Sequence, residues 1–103
     1  MHINQNSILV GDGNGDIITI DPKTFNVATT KRIHEGSIFD ILEEDNYFIT
    51  VGDDGIINFV DKRKMEIFKS FNVESPLKQI IKHNDKYYLA GIQAFTLDQN
   101  ENI

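Results

Sequence analysis

Asn14-Gly15-Asp16-Ile17-Ile18-Thr19-Ile20-Asp21 returns as Asp54-Gly55-Ile56-Ile57-Asn58-Phe59-Val60-Asp61, with Asp21 and Asp61 40 residues apart and no gap between the copies. A weaker third copy ends at Phe95-Thr96-Leu97-Asp98, 37 residues beyond Asp61. The first two copies are short β-branched runs opened by a residue pair that tolerates a tight turn and closed by an aspartate; the third keeps the aspartate, but the shorter Gly91-Ile92-Gln93-Ala94 replaces the turn pair. Asn14-Gly15 and Asp54-Gly55 suit positive φ, which a two-residue hairpin demands. A fixed period in a β-rich chain is the mark of a repeat architecture, and one near forty matches a four-stranded propeller blade.

Working outward, the apolar segments are rich in Ile, Val, Phe, Tyr and Thr, and none holds helical spacing over three turns. Pro76 to His83 is the best helix candidate. Its counterpart Ser37 to Leu42 is short and β-branched, so it also reads as a strand. Ten strands are predicted: 7–11, 17–20, 26–32, 38–42, 47–51, 56–60, 66–71, 77–82, 87–91 and 94–97. Asp21-Pro22-Lys23-Thr24 and Asp61-Lys62-Arg63-Lys64 form one recurring kind of turn, and Glu43 to Asn46 and His83 to Lys86 form another. With no crossover helix, the strands must run as antiparallel meanders in an all-β fold.

Composition narrows function. The chain has 103 residues and 40% hydrophobic residues, enough for one domain with an ordinary core. It has no cysteine, which excludes disulfides and thiolate chemistry and fits a cytoplasmic or nuclear setting. The net charge of −6 disfavours a general nucleic-acid surface. Lys31-Arg32 and Lys62-Arg63-Lys64 are small basic clusters near turns and read as solvated charge. No apolar run approaches the roughly 20 residues of a membrane span, and the polar start Met1 to Asn6 does not resemble a secretory signal.

Residues 34–61 resemble a repeat of the WD-repeat β-propeller family. His34-Glu35-Gly36-Ser37 looks like its opening, Phe48 to Gly52 like its second strand, Asp53-Asp54-Gly55 like its turn, and Ile57 to Asp61 like its third strand. The resemblance implies structural roles for His34, Gly36, Asp54, Gly55 and Asp61, and for Gly15 and Asp21 in the first copy. The family's Trp position holds Ile20, Val60 and Leu97, so its His–Ser/Thr–Asp–Trp network cannot form in full. On this reading residues 1–33 are an incomplete first blade, 34–73 the best-matching repeat, and 74–103 a degenerate last blade. Ten strands make about two and a half blades, whereas closed propellers usually have four to eight. The chain then needs further blades, copies of itself or a partner protein, which implies a non-catalytic interaction or scaffold role.

Other motifs offer less chemistry. Asp12, Asn14 and Asp16 present oxygens at positions 1, 3 and 5 of a calcium loop, and Gly11 to Asp16 resembles the calcium element of integrin-type propeller repeats. Position 6 is Ile17 rather than Gly and position 12 is Lys23 rather than Glu, so a polar hairpin turn is the plainer reading. His2, His34 and His83 do not cluster, and no nucleophile or oxyanion donor accompanies His34-Glu35. The glycines at 11, 13 and 15 lead into a strand, which disfavours nucleotide binding. Phe25, Phe39, Phe59, Phe68, Phe71 and Phe95 are expected in the core. Tyr87 and Tyr88 must point to opposite faces of one strand, making the pair a candidate interface.

Overall fold

The computed structural model describes residues 2–3, 8–91 and 93–98. The strands are β1 (His2–Ile3), β2 (Ile8–Gly11), β3 (Asp16–Ile20), β4 (Val27–Arg32), β5 (Ile38–Glu43), β6 (Tyr47–Gly52), β7 (Ile56–Asp61), β8 (Glu66–Asn72), β9 (Leu77–His83), β10 (Lys86–Gly91) and β11 (Ala94–Asp98). They form three antiparallel meanders: β1-β2-β3-β4, β5-β6-β7-β8 and β9-β10-β11. No helix occurs among the described residues, and Leu77–His83 is a strand as expected. His2–Ile3, outside the ten strands expected from sequence, pairs with Leu9 and Ile8, which gives the first sheet a fourth strand. Ser7, the expected start of β2, lies outside the described residues.

The repeat is also a structural equivalence. Asp21 O accepts the Phe25 amide at 2.7 Å, and forty residues later Asp61 O accepts the Met65 amide at 2.8 Å. Gly15 O accepts the Ile33 amide at 2.8 Å, and Gly55 O accepts the Val73 amide at 2.9 Å. Gly15 and Gly55 lie at φ 89° and 76°, the left-handed region that only glycine enters freely.

The middle sheet is buried on both faces. Toward the first sheet it presents Ile38, Ile41, Phe48 and Val60, which pack with Leu9, Ile17 and Ile33. Toward the last sheet it presents Ile49, Val51, Ile57 and Phe59, which pack with Leu77, Ile80, Tyr87, Leu89 and Leu97. Strand alternation produces both faces from one sequence: in Tyr47–Gly52, even and odd positions serve opposite neighbours. At about 25 cal/mol per Å² of apolar surface removed from water, such inter-sheet layers dominate the fold's stability.

The aromatic core differs from expectation. Phe59 is buried and Phe71 packs at its margin, but Phe25, Phe39 and Phe68 are exposed. Phe39 and Phe68 sit at β-bulges, where the extra residue has no ladder partner; Phe68 stays at the rim of the packed face, its ring edge-on to Tyr47 and Phe59. Phe25 occupies the corner of the Asp21 turn at φ 59°. Phe48, which sequence reasoning passed over, is fully buried. The side chain of Phe95 lies outside the described residues.

Candidate interaction surface

The turns that hold the sheets together are built on aspartates and one histidine. His34 follows β4 and is 2% exposed. Its Nδ1 donates to Asp54 Oδ1 at 2.9 Å, and its Nε2 accepts from the Thr50 hydroxyl at 2.6 Å. Asp54 in turn accepts the amides of Ile56 at 3.0 Å and Glu35 at 3.2 Å. One buried ring thus ties the entry to the middle sheet to β6 and to the β6–β7 turn. Where the WD-repeat resemblance lacks a Trp, Asn58 supplies a different link: its Nδ2 donates to Ile33 O at 3.0 Å, and Ser70 Oγ donates to its Oδ1. Thr50 and Asn58 were not singled out from sequence. Their signal was a polar residue at an inward strand position, where alternation would place an apolar one.

Asp61 Oδ1 accepts the amides of Arg63 and Lys64, both at 2.9 Å, and Asp21 Oδ1 accepts that of Lys23 at 2.8 Å. Gly36 is half-buried, and a Cβ there would meet nothing closer than Asp53 Cβ at 3.5 Å. Among the calcium candidates, Asp12 Oδ1 accepts the amides of both Asn14 and Asp16 at 2.9 Å. That oxygen therefore closes the hairpin turn. No group of three or more His, Cys, Asp or Glu among the described residues is placed to hold a metal ion.

Tyr87 and Tyr88 separate as alternation requires. Tyr87 is 1% exposed, so it belongs to the core and leaves the candidate interface, while Tyr88 is 37% exposed on the opposite face. The Tyr87 hydroxyl lies 2.8 Å from that of Tyr47 and donates to Glu44 Oε2 at 3.4 Å. Lys82 Nζ reaches the same carboxylate oxygen at 2.7 Å. Burial, reinforced by Tyr47 and Glu44, pushes the Tyr87 phenol well above its ordinary pKa. The hydrogen bond to Glu44 raises that of Lys82.

The outward face of the last sheet is open. Gln79, Ile81, Tyr88, Ala90, Ala94 and Thr96 line a shallow, largely apolar hollow. Register relates these positions to the middle sheet: Tyr88 pairs with Thr96 as Ile49 pairs with Phe59, and Ala90 with Ala94 as Val51 with Ile57. In the middle sheet this face is covered by the last sheet; in the last sheet nothing described covers it. The outward face of the first sheet carries half-buried Val10, Ile18 and Ile20. No helix among the described residues is long and apolar enough to cross a membrane.

Three four-stranded or three-stranded meanders stacked face to face, with like positions at a forty-residue spacing, are consecutive blades of a β-propeller. The chain is similar to the crystal structure of the β-propeller domain of Cps50 (Swd1) from Myceliophteria thermophila, with a TM-score of 0.82 and 15% identity over 95% of this chain. It spans 34% of the length of that chain, so the likeness is one of fold and covers about a third of the larger domain. No family profile and no curated protein matches the sequence.

Proposed function

We propose that the chain is a non-catalytic protein-interaction or scaffold module, a propeller segment whose ring is completed by further blades or by a partner in a larger complex. The observation that carries this reading is the exposure of Ile81 and Tyr88, 50% and 37%, on a sheet face whose counterpart in the middle sheet is sealed. Contiguous apolar surface of that kind marks interaction sites on soluble proteins. The similarity to a propeller domain about three times as long supports the same reading. The alternative, a calcium-stabilised segment centred on Asp12, Asn14 and Asp16, has weaker support, because an Asp12 oxygen is already committed to the turn.

The reading is tested by co-purification from the cells that make the protein, comparing the wild-type chain with Ile18→Lys and Tyr88→Lys. Other proteins retained by the wild type should be lost with one or both variants and kept with Lys31→Glu on exposed β4. An unchanged set of retained proteins in all variants would sink it.

A further inference from the structure

Phe25 and Met65 are twins in the repeat, and only one of them has its partner. Both close an aspartate turn in the left-handed region, at φ 59° and 54°. Bulky side chains occupy that region at a cost of order 1–3 kcal/mol, and such strain persists where the surroundings fix it. Met65 packs into the core between the middle and first sheets. Phe25 points its larger apolar ring to solvent at 74% exposure, with Val27, two residues on, at 62%.

The face that receives Met65 has its own twin. On the first sheet it comprises Leu9, Gly11, Ile17 and Thr19, with Leu9 opposite Thr19 and Gly11 opposite Ile17. The last sheet repeats this pattern as Tyr88, Ala90, Ala94 and Thr96, with the same pairs opposed. Both carry a small residue on the second strand and a threonine on the third, where the middle sheet has Val51 and Phe59. The last sheet's open face is thus built like the face that accepts a sheet edged by Met65. Its hollow of about 240 Å³ has room for an aromatic side chain.

We propose that the first sheet of one copy, edged by Phe25, docks on the open face of the last sheet of a second copy. This rests on the interaction-module reading and names its partner as the chain itself. The contact is head-to-tail, so its two sides differ and it can be repeated around a ring. Three sheets from each of two copies make six, within the four to eight blades of closed propellers.

Light scattering coupled to gel filtration, applied to the 103-residue chain, tests this with Phe25→Lys and Ala94→Arg. Both positions are exposed, so each variant should keep the wild-type far-ultraviolet circular dichroism. The wild type is expected to run as a dimer and each variant alone as a monomer. Mixing the two variants should restore a dimer, because Phe25 of one meets the intact hollow of the other. A monomeric wild type, or a dimer that both variants retain, would overturn the proposal. If a different protein is still retained through these faces, the interaction-module reading stands without it.

Discussion

His34 and Thr50, sixteen residues apart in the chain, meet ring nitrogen to hydroxyl at 2.6 Å in a buried site. The ring's other nitrogen is held by Asp54 at 2.9 Å, so both of its polar atoms are satisfied without water. A buried polar group that loses its partner costs about 1–3 kcal/mol. Thr50→Val, which keeps the shape and removes the hydroxyl, should lower stability by that amount. His34→Ala orphans the Thr50 hydroxyl, removes the ring's bond to Asp54 and leaves a cavity besides, so its cost should be greater, about 2–5 kcal/mol. Urea unfolding measures both. A Thr50→Val variant within about 0.5 kcal/mol of wild type would show that the bond contributes little.

Gly15 and Gly36 both belong to the repeat pattern but differ in what they demand. A Cβ on Gly15, at φ 89°, would lie 1.9 Å from His34 O, so Gly15→Ala must displace backbone or abandon the turn. At Gly36 the nearest atom would be an ordinary 3.5 Å away. Gly15→Ala should destabilise by more than about 2 kcal/mol, and Gly36→Ala should change stability by less than about 0.5 kcal/mol. Thermal melting of the two variants decides this. Equal losses would mean that Gly36 has a role sterics do not reveal.

These contrasts show what the sequence could convey. The turn pairs Asn14-Gly15 and Asp54-Gly55 and the recurrence of Asp21 at Asp61 report backbone geometry directly, because few residues satisfy it. Hence the sheets, their order and the propeller class were legible. The aromatic core was less so. Phe39 and Phe68 were expected in the core, yet each sits at a bulge, and a bulge shifts register without changing composition. Phe25 was expected in the core, and its repeat counterpart Met65 does pack there: the middle sheet has a neighbour on that side, and the first sheet has none described. Thr50 and Asn58 escaped notice because their partners lie 16 and 25 residues away.

The turn at Asp12 gives a third prediction. Metal binding to the folded state stabilises it by RT ln(1 + c/Kd), with c the free metal concentration, about 2.7 kcal/mol at a hundredfold excess over Kd. Asp12 Oδ1 already bonds two amides, so removing the carboxylate should matter with or without calcium. Asp12→Ala is expected to lower the melting temperature, and millimolar calcium is expected to leave the wild-type value unchanged. A calcium-induced rise that Asp12→Ala abolishes would instead establish the metal site.

Tyr87 offers the pH test. Its phenol sits among Phe59, Leu89 and Leu97, beside the Tyr47 hydroxyl and the Glu44 carboxylate, and burial above all raises its pKa. An unfolded tyrosine ionises near pH 10. Below that value both folded and unfolded chains hold the proton, and the phenol's contribution to stability is complete. Above it the unfolded chain releases the proton while the folded chain keeps it, so stability falls as pH rises. Tyr87→Phe removes the titration along with the hydroxyl bonds. It should be less stable than wild type at pH 7 by about 0.5–1.5 kcal/mol, and the gap should close as pH climbs from about 10 toward 11. Urea unfolding across that range checks the sign. A gap that stays constant with pH would mean that the phenol ionises alike in the folded and unfolded chains.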